Sequence, residues 1–298
     1  MIKKIVKKII NNKYVRPIIN RLFTEKNNLC PLIDLYPKLY LKESLENKRF
    51  YNIGGGAFLH PYWTVIDYTS YWYNVAEKGH SFISYNLFSL DKLPIPDNSA
   101  EVVYSSHTIE HISNEATQNM FNEAYRILKK NGYLRITTPN IDLGYRAGME
   151  NDKAYFYWSD NFSRLEYMKR IKIKIPMDKV STKQLFLFQF TSVLCEMQAE
   201  QSIKKVSDEE IDRIFSTLDY EDALDYFTSK CTVEMQNKYP GNHMNWYNEK
   251  KLFKMLKKAG FEKVYRSGYG QSFCPVLRNT FIFDNTHPKI SIYVEARK

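Results

Sequence analysis

The stretch RFYNIGGGAF, Arg49 to Phe58, is an apolar run that ends in three consecutive glycines, in a chain with only 11 glycines over 298 residues. A strand that runs into glycines at its carboxyl end makes a tight turn where open α/β sheets bind their ligands. The residues beyond the turn narrow the choice of ligand. A phosphate-cradling P-loop needs Gly-Lys-Ser/Thr a few residues on, and the residues after the glycines are Ala57, Phe58 and Leu59. A dinucleotide fingerprint needs glycine or alanine where Leu59 stands and an acid about 20 residues on. The acid comes early: Asp67 closes the run WTVIDYT, eleven residues after Gly56. A carboxylate there accepts both hydroxyls of a ribose, so the pattern implies a nucleoside without a pyrophosphate.

Runs rich in β-formers occur at Arg49–Ile53, Thr64–Ile66, Ser81–Tyr85, Glu101–Ser105, Tyr133–Thr137, Glu262–Arg266 and Ile290–Ala296. Helical patterns alternate with some of them. Ser113 is placed to cap a helix whose stripe is Ala116, Met120, Phe121, Ala124, Ile127 and Leu128, stopped by Asn131-Gly132. A second helix spans Asn248–Ala259, with Gly260 at its carboxyl cap. Strands alternating with helices predict a largely parallel, doubly wound sheet. The link from Ile53 to Thr64 is short for a helical crossover, so the first helix is expected as a single turn or missing. The stretch 141–244 reads as mostly helical, with Ser207 and Glu210 forming a capping box, and is expected to be a lid over one end of the sheet.

Charge and cysteines exclude several classes. Of the net +10, residues 1–26 hold eight cations and one acid, which is +7 and leaves +3 for the rest. No basic stripe with interleaved aromatics marks the remainder, and a nucleic-acid partner is not expected. Ile2, Ile5, Val6, Ile9 and Ile10 recur at helical spacing among the lysines, predicting an amphipathic, basic helix in residues 1–26 ahead of a main domain at 27–298. Residues 1–21 then suit a peripheral membrane contact. Cys30, Cys195, Cys231 and Cys274 form no C-x-x-C pair, so neither a zinc knuckle nor a disulfide framework is written, and a cytoplasmic setting fits. No metal is expected.

In order along the chain, YNIGGGAF, WTVIDYT, YNLFSLDKLPIPDNSAEVVYSSHTIEHI and EAYRILKKNGYLRITTPN resemble a class I S-adenosylmethionine-dependent methyltransferase of the methyltransferase type 11-like branch. The resemblance covers roughly Arg49 to Asn140. It implies an α/β, Rossmann-like seven-stranded sheet, mostly parallel with the last strand antiparallel, carrying the helical insertion. It also implies S-adenosyl-L-methionine as cofactor, held by Asn52, Gly54, Gly55, Gly56, Asp67, Tyr68, Asn86, Leu87, Ser106 and His107. Asn52 and Asn86 depart from the family, where acids are usual. KLFKMLKKAGFEKVYRSGYGQSFCPVLRN and HPKISIYVEARK resemble bacterial methyltransferases of surface-polysaccharide sugars, which implies a small-molecule sugar acceptor.

Methyl transfer from a sulfonium needs alignment and, for a hydroxyl acceptor, a proton acceptor. His107 and His111 are the catalytic candidates, since an imidazole titrates near neutral pH. Glu110 is expected to serve as a cap, Tyr71 and Trp72 to stack on adenine beside Tyr68, and His243 and Trp246 to border the acceptor. HTIEH also matches the H-x-x-E-H pattern of inverted zinc peptidases, but there His107 directly follows a strand, outside any helix. A noncatalytic binding module that keeps the fold and a nucleic-acid methyltransferase are the remaining alternatives.

Overall fold

The computed structural model describes residues 35–69, 81–156, 173–199, 202–238 and 241–298. The N-terminal basic segment, Cys30, Tyr71 and Trp72 lie outside them. Seven strands form one sheet: β1 (Phe50–Ile53), β2 (Trp63–Asp67), β3 (Ser81–Ser84), β4 (Ala100–Ser106), β5 (Leu128–Pro139), β6 (Lys263–Ser267) and β7 (Ser291–Arg297). Their spatial order is β3-β2-β1-β4-β5-β7-β6. All neighbours pair parallel except β7, which runs antiparallel to both β5 and β6. This is the expected Rossmann-like sheet with its last strand reversed.

Alternation along the strands sends neighbouring side chains to opposite faces. On β4, Val103 joins one core while Val102 and Tyr104 join another. Among the described residues the helices in chain order are α1 (Tyr36–Leu39), α2 (Lys42–Glu46), α3 (Asn114–Ile127), α4 (Ile141–Met149), α5 (Lys153–Phe156), α6 (Thr182–Phe188), α7 (Asp208–Thr217), α8 (Tyr220–Thr228), α9 (Val233–Lys238) and α10 (Glu249–Lys258). Helix α3 lays Met120, Phe121, Ala124 and Ile127 on the Val103 face, beside Leu252 and Leu256 of α10. Both start on side-chain caps: Ser113 Oγ accepts the Ala116 N–H, and Asn248 Oδ1 accepts the Lys251 N–H. Helix α3 stops at Ile127, ahead of Asn131-Gly132, because Leu128 already extends into β5. Gly260, at φ +111°, lets the chain leave α10.

Between β1 and β2 residues 54–62 form turns and no helix. Three glycines and Pro61 disfavour a helix there. The face that a crossover helix would cover is sealed by aromatic rings instead. Trp63 and Phe283 lie 5.0 Å apart, Phe58 and Phe283 5.7 Å, and Trp63 donates its indole N–H to Tyr36 at 2.7 Å. Phe283 comes from the segment between β6 and β7. That segment is tied down by Arg135 of β5, which is fully buried. Its guanidinium meets Asp284 at 2.6 Å and Glu295 of β7 at 3.1 Å, and donates to the Ser267 hydroxyl at 2.6 Å.

Helices α4 to α9 build a separate core between β5 and α10, with Phe186, Phe190, Leu194, Ile211 and Phe227 inside. The Ser207 cap accepts the Glu210 N–H, but the reciprocal half of the expected capping box is not made by Glu210. Lys230 at 2.8 Å and the Tyr226 hydroxyl at 3.1 Å take that carboxylate instead, a charged pairing that outcompetes a neutral backbone N–H. Among the described residues no helix is long and apolar enough to cross a membrane.

Candidate active site

A cavity of about 720 Å3 opens at the carboxyl ends of β1, β2 and β4. Asn52 and the three glycines form one side of it, and Asp67 and Tyr68 continue from β2. Asn86 and Leu87 come after β3, and Ser106, His107 and His111 lie at and beyond the end of β4. These residues border one space although they run from Asn52 to His111, while Tyr71 and Trp72, expected on the adenine, lie outside the described residues.

The glycines act by geometry. Gly54 sits at φ +70°, and a Cβ there would fall 2.2 Å from Thr108 Oγ1. Gly56, at φ +53°, has nothing among the described residues within 4 Å of its would-be Cβ, and its N–H donates to Asp67 Oδ2 at 2.7 Å. The other carboxylate oxygen accepts the Tyr68 N–H at 2.7 Å. Burial raises the Asp67 carboxyl above its ordinary range, and these two backbone donors oppose the shift. Each oxygen keeps a lone pair for a further donor. Asn52 is 4% exposed, and its Oδ1 has no hydrogen-bond partner among the described residues. Asn86 accepts the Phe88 N–H through Oδ1, capping the short turn 87–89 and leaving its NH2 for a ligand. Tyr68 is 48% exposed, its ring beside the opening.

The histidines are arranged differently. His107 takes φ +52°, and its Nε2 lies 2.8 Å from Ser291 Oγ. The Ser291 hydroxyl can turn its one proton to Nε2 or to the His287 carbonyl, 2.8 Å away. Nδ1 lies 3.0 Å from Glu110 Oε1. Both nitrogens of His107 thus face protein side chains. Glu110 is 1% exposed and accepts from Thr138 Oγ1 at 3.0 Å. Burial disfavours its charge, but His107 first, with His111 and His243 behind it, outweighs burial, and its carboxyl is held down at about 2.

His111 does not share a helix face with His107, because a 3-10 turn, 109–111, separates β4 from α3. It faces His243 of the insertion instead, ring centres 4.7 Å apart and nearly perpendicular. His111 Nδ1 donates to the Asn242 carbonyl at 2.9 Å, and His243 Nδ1 to the Gln189 carbonyl at 2.5 Å. Burial lowers His243 to about 4 and lowers His111 too, with Glu110 pulling the other way on both. Trp246 turns from the cavity, buried with its N–H on Asp225 at 2.7 Å.

Sequence reasoning did not reach the opposite rim. Gln236 and Asn237 arrive from α9, and Asn285 and Thr286 from the loop before β7. No motif marks them; their shared polar character in two unconnected segments shows only in three dimensions. Thr108 carried no signal of its own either, although its place within SSHTIEH puts it against the glycine turn.

Residues 54–136 match a family model described as a methyltransferase domain. No curated protein matches. Similar solved structures include a methyltransferase from Thermotoga maritima described as a possible histamine N-methyltransferase, 14% identical over 94% of this chain and 98% of its own, with TM-score 0.38. A methyltransferase from Archaeoglobus fulgidus is 12% identical over 84% and 85%, TM-score 0.39. Human N-acetylserotonin methyltransferase, solved with S-adenosylmethionine, is 11% identical over 86% and 50%, TM-score 0.38. The domain match supports methyl transfer with S-adenosylmethionine as cofactor.

Proposed function

We propose that this protein, which carries a methyltransferase domain, methylates a sugar or nucleotide-linked sugar from S-adenosylmethionine, in the building of cell-surface polysaccharide. The observation that carries the reading is the meeting of the glycine turn with the Asp67 carboxylate, Gly56 N–H to Oδ2 at 2.7 Å, at the mouth of the cavity. The chain's residues fit the cofactor. Asp67 would hold the ribose hydroxyls, Asn86 and Leu87 the adenine, and the unpartnered Oδ1 of Asn52 the ammonium of the methionine part. Open space at Gly56 leaves room for close backbone approach. When bound, S-adenosylmethionine supplies an electrophilic methyl on a sulfonium.

A hydroxyl-rich acceptor is supported by the amide and hydroxyl groups of Gln236, Asn237, Asn285 and Thr286 across the cavity, and by the resemblance of residues 251–279 and 287–298 to sugar methyltransferases. The polar rim orients the acceptor and, with α9 beside it, limits water. His107 acts here by position, holding Glu110 and β7 together beside the cofactor side. We place residues 1–21 at a membrane surface on the cytoplasmic side, where equal liposome binding by the full chain and by 27–298 would exclude that contact. The central experiment is calorimetric titration with S-adenosylmethionine, then mass spectrometry of nucleotide sugars incubated with enzyme and cofactor. One added CH2 on a sugar is expected. Asp67→Asn should weaken cofactor binding about 10- to 100-fold, the worth of a charged hydrogen bond. Tight binding unaffected by that change would overturn the cofactor placement, and methylation of only non-sugar acceptors would overturn the substrate.

A further inference from the structure

We infer that Glu110, His111 and His243 form a site for one divalent first-row transition-metal ion in the wall of the same cavity. The inference deepens the methyltransferase reading and rests on it for the metal's role, though not for its binding. It runs against the sequence pattern, in which no metal was expected.

The three side chains each offer one donor atom, and those atoms all lie within 4.8 Å of one another. A metal bonded at about 2.1 Å needs donors roughly 3–3.5 Å apart, so a small inward rotation of the rings closes the set. The tautomers are already those a metal requires. A backbone carbonyl can only accept, so the contacts of His111 Nδ1 with Asn242 and of His243 Nδ1 with Gln189 put the proton on Nδ1 in both rings. The lone pair is then on Nε2 in each. Orientation of a ligating imidazole by a backbone carbonyl on its far nitrogen is the usual outer support of such sites.

The third donor is equally unusual without an ion. Glu110 is 1% exposed, and its Oε1 receives no hydrogen bond of good geometry, with the His107 ring nitrogen 3.0 Å away. A buried carboxylate oxygen with one imidazole beside it and no hydrogen bond made to it keeps a lone pair for a cation. Oε2 is fixed by Thr138, and the Met244 N–H donates to the Glu110 carbonyl at 2.9 Å, tying the carboxylate's turn to the segment that presents His243. Two imidazoles and one carboxylate on one side of an ion leave its other positions open. Nitrogen-rich donors select Mn2+, Fe2+, Co2+ or Zn2+ over Mg2+ and Ca2+.

His111 is the member that also lines the cavity, so the open positions face the acceptor side. An acceptor hydroxyl bound there is acidified by the ion and loses its proton to water, leaving the oxygen's electron pair on the metal-held alkoxide. That supplies the activation that His107, with both nitrogens engaged, does not.

The test is dialysis of the full chain against Co2+, followed by metal analysis, visible absorption and, on the same sample, titration with S-adenosylmethionine. One equivalent of Co2+ with ligand-field bands unlike those of the aqua ion is expected. His243→Ala, which lies off the cavity lining, should retain cofactor binding and lose the equivalent with at least a tenfold weaker Co2+ affinity; Glu110→Gln should do the same. Wild-type protein that binds the cofactor and retains no Co2+ overturns the site, as does undiminished binding by both variants. If the variants do not fold, the wild-type spectrum decides: aqua-like bands overturn the proposal. Co2+ bound without cofactor binding would keep the metal site and sink the methyltransferase reading instead.

Discussion

The two walls of the cavity are made by different means. On the cofactor wall a glycine turn, a strand-end carboxylate and an amide do the holding, each from the carboxyl end of a neighbouring parallel strand. On the other, buried imidazoles and one carboxylate are pinned by carbonyls from the insertion, so that His111, 131 residues from Asn242, finds its partner only after folding. The first wall depends on conformation and the second on proton and charge state, and the two should fail under different insults.

The largest effect expected is one that strikes both walls at once. Arg135→Met would leave Asp284 and Glu295 buried without their cation and cost about 3–5 kcal/mol. It would loosen the loop bearing Asn285 and Thr286 as well as the aromatic backing of the glycine turn; a urea melt with an unchanged midpoint would show that the walls do not share this brace. Gly54→Ala strikes the cofactor wall alone. The left-handed backbone costs about 1–2 kcal/mol and the clash with Thr108 about as much again. Cofactor binding should drop at least tenfold while the His111–His243 pair persists, which calorimetry beside histidine NMR would read.

Acid should act on the histidine wall. Burial holds the folded His243 at about 4 against an ordinary 6.5, so between those values the unfolded chain binds more protons. Its contribution to stability is complete above pH 6.5 and is lost as pH falls towards 4. His60 and His287, also lowered to about 4 by burial, act in the same sense. Together they should lower the melting temperature between pH 7 and 5 by an amount worth about 2–5 kcal/mol, and His243→Gln should shrink that drop. A flat profile would argue against buried neutral imidazoles. Smallest is Ser113→Ala, which removes a helix cap from neither wall and should cost about 1 kcal/mol, or about 2 °C in a thermal melt, with cofactor affinity unchanged.

The same contrast decides what could be read in the sequence. The strands and the cap at Ser113 are local patterns, and Asn52, Gly54 and Asp67 converge because parallel strands bring their carboxyl ends to one edge whatever lies between. Glu110 looked like a helix cap because its burial is imposed from outside, by Thr138 on β5 and by the segment around Met244. His107 looked free because Ser291, 184 residues on, is what occupies its Nε2. Spacing along a chain has no access to such pairings, and Trp246, close to His243 in sequence, faces elsewhere.

The missing crossover helix after β1 also bears on the order in which the chain matures. The rings that stand in for it include Phe283, whereas the turn they support is finished by Asp67. During synthesis from the amino end, the nucleoside grip would be spelled out long before its backing emerged from the ribosome. Until residues near 283 arrive, Trp63 and Phe58 lack the ring that packs on both of them, and a nascent chain stalled at that stage would be a natural client for a chaperone.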